Sequence, residues 1–586
     1  MDSGPQRALI SGWLANLPER YSIGGGVHEM IEELTPQVMM IAMVLIIAIS
    51  SIATLILSAL LLWRYRRFVS RAMALQGGFK DQAETASATA IGTALTGRTE
   101  SSARDLLQQV IRVSRRSAMG FLTAGLAFAM VFALAAQFVY PTGLALPGFL
   151  VAVWIYFWPA MLALPLILPG SMRFWFLLVC VYVLVFTLLG TLATTVTNLP
   201  EYSFGGIYIQ ERSTVTPWGM VRLWLVVNAA PTTLIWLCFN RRIRAVAPLM
   251  LALITTVTTG VVVVYLSIFS KSGVDLFVSL SVSLDLHVYG LVASALLLSL
   301  LGFSLLGWML VSAIARVYRH RGVSDRSLLL DALLLLFANS YGMWLVIGGT
   351  GWFVMVPTAF LVYRLILSLV SRVVNGRFPV AQGLTFLRVF SLGRRSDALL
   401  GDVAGYWRYL GSVQVITGPD VVHSTVQPHQ FLDFLSGRMG AHFVRDFRSM
   451  ELSLAERNRM PDPDGRYRIN NFFCYEDSWQ PLLSRLVQAG DIILMDLRSF
   501  TAANTGCIHE LHLLVREVPF SQCLLLVDST TDEVFLRATL KECWERLPQN
   551  STNRNCLPDE VATFHYERGV PQLQRMVGRL CRAAQG

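Results

Sequence analysis

Charge is scarce in this chain. Asp, Glu, Lys and Arg make up 15% of its 586 residues, where soluble domains carry roughly 25%. That deficit excludes an ordinary globular protein with a fully solvated surface. The sequence also lacks a Gly-rich phosphate loop and a Gly-x-Gly-x-x-Gly dinucleotide fingerprint. Its eight cysteines have no Cys-x-x-Cys spacing of the zinc-binding kind. Cys180 and Cys238 fall in apolar runs, and the other thiols are expected to be reduced. No internal repeat points to an inverted-repeat transporter. Met1–Pro36 holds no apolar signal-peptide segment; it reads as a polar, mildly acidic lead-in (Glu19, Glu29, Glu32, Glu33) with a flexible Gly24-Gly25-Gly26 centre.

Apolar sequence is plentiful. Hydrophobic residues make up 54%, and their long runs lie between Gln37 and Val374. From Arg377 onward there are 23 basic and 23 acidic residues, leaving 25 and 15 before it. The whole excess of +10 therefore sits among the apolar runs, where membrane topology accounts for it and nucleic acid is not implied.

A helix crossing the hydrocarbon needs about 20 residues. The candidate spans are Gln37–Trp63, Ala118–Tyr140, Pro147–Leu168, Phe174–Val196, Gly219–Phe239, Val246–Phe269, Val288–Ala315, Leu328–Ile347 and Trp352–Val374. Basic residues fill alternate connections: ten between Arg64 and Arg116; then Arg173; then Arg241, Arg242 and Arg244; then Arg316, Arg319, Arg321 and Arg326; and finally Arg372 and Arg377. The other connections are nearly free of base. About nine spans, N-terminus outside and C-terminus in the cytoplasm, satisfy this pattern.

Within the connection 64–117, Ser102–Arg116 is amphipathic. It fits a helical juxtamembrane extension, a lipid-surface segment or a docking element for the C-terminal domain. Arg222, Asp331 and Arg364 fall toward span ends. Asn228 with Pro231, and Asn339, are the interior polar groups, which interhelical hydrogen bonding explains.

Beyond a linker at 375–386, residues 387–586 alternate between strand and helix patterns. Strands are expected at Leu387–Ser391, Ser412–Thr417, Tyr467–Tyr475, Asp491–Leu497 and Gln522–Val527. Helices are expected at Ser396–Tyr409, Pro428–Phe443, Trp479–Ala489, Thr505–Val518, Val534–Arg546 and Pro571–Arg582. Asp462-Pro-Asp-Gly465 reads as a turn rather than a calcium loop. This alternation predicts a mostly parallel, helix-covered sheet.

The stretch Asp491–Glu517 carries the candidate chemistry. An apolar strand, a polar loop and a helix follow one another, and ligands of α/β sheets bind at such strand ends. Ile508, Leu511, Val515 and Val518 share an apolar face, which turns Glu510 elsewhere. In a crevice, its carboxylate would bond ribose hydroxyls and stabilise an oxocarbenium-like centre, as glycosidase carboxylates do. The plainer alternative is a solvated glutamate near a helix N-terminus. Cys507, His509 and His512 do not share one helix face, which argues against a metal site.

Cys507-Ile-His-Glu510-Leu511, after an apolar strand, resembles the Trp-Cys-x-x-Glu-Leu motif of Toll/interleukin-1 receptor (TIR) domains. Ser478–Asp491 resembles the helix leading to that family's third strand. Gly506 stands where the family has Trp, Leu387–Leu392 lacks the usual Phe-Ile-Ser-Tyr ending, and Val421–Arg466 is longer than its counterpart. The resemblance covers the C-terminal third. It implies a TIR/flavodoxin-like sheet and association between copies of the domain. It also implies Glu510 as the residue that cleaves the nicotinamide–ribose bond of NAD, a substrate rather than a resident cofactor. Phe390, Ser391, Arg394 and Arg395, after the first strand, become candidate contacts for ribose or phosphate. An effector of prokaryotic immunity anchored in a bacterial-type inner membrane is the expectation that follows from the resemblance. A non-catalytic scaffold, and a transporter or channel regulated by a nucleotide-sensing domain, are the alternatives.

Overall fold

The computed structural model describes residues 26–74, 103–139, 146–168, 172–197, 216–238, 246–374, 382–389, 394–417, 428–457, 459–475, 477–489, 492–549, 551, 553–557, 560–567 and 569–583. Most of the lead-in, most of the linker, the Arg241–Arg244 cluster, Phe390 and Ser391 lie outside them.

The apolar half is helical. Its helices are α1 (Gly26–Met73), α2 (Ala103–Val139), α3 (Leu146–Tyr156), α4 (Trp158–Ile167), α5 (Met172–Thr197), α6 (Pro217–Cys238), α7 (Ala247–Ile268), α8 (Lys271–Leu284), α9 (Val288–Arg319), α10 (Asp325–Leu345) and α11 (Met355–Val374). Among the described residues, eight segments are long and apolar enough to cross a bilayer, with α3 and α4 forming one. The fifth expected span, Gly219–Phe239, is helical as α6 but is not one of the eight.

Helix α10 is the hub, with 83% of its apolar window enclosed by its neighbours. Polar groups inside the bundle pair across helices, because lipid offers them no alternative partner. Tyr341 donates to Asn228 at 2.7 Å, Asn339 donates to Thr256 at 3.1 Å, and Arg364 meets Asp331 at 3.0 Å. Asp331 is therefore enclosed and paired, where the sequence placed it at a watered span end.

The second half is a doubly covered sheet. Its elements are β1 (Leu384–Arg388), α12 (Arg394–Trp407), β2 (Val413–Thr417), α13 (Pro428–Leu435), β3 (Phe443–Val444), α14 (Phe447–Ala455), β4 (Ile469–Cys474), α15 (Trp479–Gln488), β5 (Ile492–Asp496), α16 (Thr505–Glu517), β6 (Cys523–Val527), α17 (Glu533–Glu545), β7 (Ala562–His565) and α18 (Val570–Ala583). The strand order is β3-β4-β2-β1-β5-β6-β7. Every pairing is parallel.

Strand side chains alternate between the two faces. Leu387, Ile493, Met495 and Leu525 pack with helices including α15, α16 and α17, while Leu384, Phe386, Leu494 and Leu526 pack with α12 and α18. Burial on both sides explains the unbroken apolar runs of β5 and β6.

Several expectations are corrected. The first strand begins at Leu384, three residues before the expected start, and ends at Arg388. Pro428–Phe443 is not one helix: α13 stops at Leu435, and Phe443 begins β3. β3, β7 and α14 were not anticipated. The unusually long segment after β2 supplies α13 and β3, so two strands, β4 and β3, stand outside β2. The flavodoxin-like order 2-1-3-4-5 has none there.

That segment also docks the domain on the bundle. Phe431 packs with Leu62, Val246 and Ala332, and Leu432 packs with Tyr318 and Val323. Tyr65 meets Phe434 edge-on at 5.4 Å, while Val69 and Met73 join Phe443 and Phe473. Val110, from the amphipathic stretch of α2, is buried in the cluster on the α12/α18 face. The helical and docking readings of that stretch thus both hold. The ends of α1, α4 and α9, and the starts of α2, α7 and α10, lie on the side of the α/β domain, the same ends that the basic residues group together.

Candidate functional site

β1 lies centrally in the sheet. From it the chain moves outward to β2 and on to the edge strand β3, fills the place between them with β4, and then crosses to β5 on the other side of β1. The carboxyl ends of β1 and β5 therefore flank a topological switch point, where ligands of open α/β sheets bind. Arg388 ends β1 and Asp496 ends β5, directly paired in register.

Asp496 is fully engaged. Arg498 grips it with two bonds of 2.7 Å, from Nε to Oδ1 and from Nη2 to Oδ2. The Ser396 hydroxyl donates to Oδ2 at 2.7 Å. Arg498 also donates to the Arg395 carbonyl at 3.1 Å and lies 5.4 Å from the Tyr566 ring centre. A buried carboxylate with this many donors is a structural clamp, since paired charges survive burial where isolated ones do not. It ties the end of β5 to the start of α12.

Glu510 lies on the buried side of α16, 2% exposed. The face expected from Ile508, Leu511, Val515 and Val518 is corrected: the enclosed positions are Cys507, Glu510, Leu511, Leu513, Leu514 and Val515. The sheet covers one side of α16, and neighbouring helices α15 and α17 cover its flanks. The buried arc is therefore wider than the apolar stripe, and it includes the carboxyl. Oε2 is enclosed with no hydrogen-bond partner. Burial pushes the carboxyl up to about 8, against the opposing pull of the Arg388 guanidinium. Near neutral pH the group is thus largely protonated, and the solvated alternative does not describe it.

Arg388 is 4% exposed and lies 3.9 Å from Asp397 on α12. The Cys507 thiol donates to the Arg388 carbonyl at 3.7 Å, tying α16 to the end of β1. Sequence reasoning missed Arg388. A charged residue closing an apolar strand is its only local signal.

Arg395 occupies the rim. Its side chain is 50% exposed, and it pairs with Asp528 after β6 at 2.6 Å. Thr530 bonds Asp528 by its backbone N–H at 3.0 Å and its hydroxyl at 2.5 Å. Despite partial desolvation, these bonds and Arg395 hold the Asp528 carboxyl below the usual carboxylate range. Ser499 bridges to Thr530 at 2.8 Å from a left-handed backbone position (φ 57°). Such strain in a non-glycine residue at a strand end is characteristic of ligand-binding loops. Phe390 and Ser391 lie outside the described residues, as does the side chain of Arg394. Of the candidate residues, the structure therefore places Glu510 and Arg395 on the carboxyl edge of the sheet, Glu510 inside and Arg395 outside.

Trp479 meets the His509 ring edge-on at 5.8 Å, while Cys507 points inward, so the Cys507–His512 residues diverge. No family model, curated protein or solved structure matches the chain.

Proposed function

We propose that this membrane protein is a TIR-like signalling effector whose α/β domain binds NAD or a related nucleotide at the carboxyl ends of β1 and β5. The bilayer anchors it, and copies associate through the α/β domain facing the cytoplasm. The reading rests on one observation: a buried carboxyl with an unpartnered oxygen, beside an arginine, at the switch point of a parallel sheet. In this proposal the resting chain keeps Glu510 covered and neutral. Association in the membrane plane, where effective concentration is high, uncovers and ionises it for cleavage of the nicotinamide–ribose bond. Arg395 meets the phosphates after leaving Asp528. The defence role is the one that the TIR resemblance suggests.

The same burial favours a second reading, a non-catalytic scaffold in which Glu510 serves packing alone. Equilibrium dialysis of full-length protein in nanodiscs against labelled NAD separates the two. Saturable binding that Arg395→Ala and Glu510→Gln weaken supports the nucleotide site. Absence of binding by the wild type favours the scaffold.

A further inference from the structure

Four arginines meet three aspartates where the turn between α9 and α10 touches the α/β domain. Arg408 pairs with Asp325 at 3.0 Å, and Arg468 pairs with Asp462 at 2.9 Å. Arg468 also donates to the carbonyls of Tyr318 and Val323 at 2.9 and 3.2 Å. These contacts use two of the three acids. The third, Asp464, accepts from the Ser324 hydroxyl at 2.9 Å and from the backbone N–H of Arg466 at 3.2 Å.

Arg326 and Arg466 remain. Their guanidinium carbons lie 5.7 and 5.6 Å from the centre of one ring, Tyr409. Arg326 donates to the Tyr409 hydroxyl at 2.8 Å, a neutral acceptor. Among the described residues, neither arginine has a carboxylate within ion-pair distance, and the Nε of each is enclosed without a hydrogen-bond partner. Arg326 is only 8% exposed; Arg466 is partly open and gives access from outside. Burial, with Arg326 and Arg408 as cationic neighbours, pushes the Arg466 guanidinium down to about 9. Arginine nonetheless keeps its proton in proteins, and uncompensated buried charge is strongly destabilising. Four arginines against three aspartates leave one positive charge in excess, and Asp464 offsets Arg466 without pairing with its guanidinium.

We infer that Arg326 and Arg466 form a binding site for a phosphate-bearing anion in the seam between the membrane bundle and the α/β domain. Guanidinium forks match phosphate oxygens in geometry as well as charge. The Tyr409 hydroxyl also lies 3.5 Å from the carbonyl of Ile167 at the end of α4. The site thus stands where two bundle ends and the domain converge, on the Arg-rich side of the bundle. Two sources offer this chemistry there: the headgroup phosphate of an anionic phospholipid, and a soluble phosphate or pyrophosphate. The inference is independent of Glu510.

The test uses full-length protein, delipidated in detergent. One arm follows thermal unfolding with inorganic phosphate or pyrophosphate against chloride at matched ionic strength. The other measures phosphatidylglycerol retained by native mass spectrometry after release from nanodiscs containing phosphatidylglycerol and phosphatidylcholine. Stabilisation in the first arm identifies a soluble anion, and selective retention in the second identifies the lipid; either supports the site. Arg466→Met and, separately, Arg326→Met are expected to weaken the positive response about tenfold, the loss of a charge-assisted bond. Arg466→Met is also expected to be at least as stable as wild type without the anion. Arg466→Lys, which keeps the charge and secures the test if the Met variants do not fold, is expected to bind between the two. No response from the wild type in either arm, or an equal response from wild type and every folded variant, overturns the inference.

Discussion

The Arg388 guanidinium at the end of β1 acts electrostatically on the Glu510 carboxyl of α16 in the interior of the α/β domain, where the two residues are 4% and 2% exposed. The arginine limits how far burial raises the carboxyl, without restoring it to the usual carboxylate range. That balance makes stability depend on pH. Between about pH 4.5 and 8 the folded chain holds a proton that the unfolded chain has released. Stability should therefore fall as pH rises through this window, by at most about 1.4 kcal/mol per pH unit from this group. Glu510→Gln removes the dependence. The variant should match wild type near the acid end and exceed it at pH 8, as measured by unfolding at each pH. A wild type/variant difference that does not change with pH would contradict the assignment.

The Arg408–Asp325 pair joins the two halves of the protein, with side chains 7% and 11% exposed. Removing one partner of a buried pair typically costs about 3–5 kcal/mol, because the other is left charged. Asp325→Ala should therefore loosen the α/β domain from the bundle and speed its limited proteolysis. Asp325→Ala combined with Arg408→Met should restore part of the resistance. Additive losses would show that the contact is not coupled.

Burial raises the thiols of Cys474, Cys523 and Cys581 to about 12; for Cys543, burial and then Glu542 do the same. Alkylation at pH 8 under native conditions should spare all four, since the thiolate is the reactive form. The partly exposed Cys556 should react first in the α/β domain. Mass mapping of modified peptides before and after unfolding checks this order, and early labelling of Cys523 would contradict the buried sheet.

Much of this architecture was legible. The apolar runs located the membrane-length helices of the bundle but not α8, which forms in the connection between two expected spans; the strand–loop–helix pattern over Asp491–Glu517 located β5 and α16, because long periodic segments carry their own signal. β7 was not legible: only Phe564 among its four residues is buried, so no alternation marks it. β3 has two residues and owes its existence to its pairing with β4. α14 buries only Met450 fully, although the capping box of Asp446 and Ser449 could have marked its start.

The site was half legible for a related reason. Glu510 came from a short motif, but its burial depends on α15 and α17 packing beside α16, which no local pattern encodes. Arg388 and Arg326 were hidden by their sequence context. One closes a strand whose apolar pattern continues into Val389, and the other sits among arginines that report topology.

The most direct test of the functional account is nicotinamide release from NAD by full-length protein in nanodiscs, at increasing protein density per disc. The account predicts release that rises with density and disappears in Glu510→Gln while NAD remains bound, if more weakly. Equal release by wild type and Glu510→Gln, or none from a wild-type protein that binds NAD at every density, would contradict it.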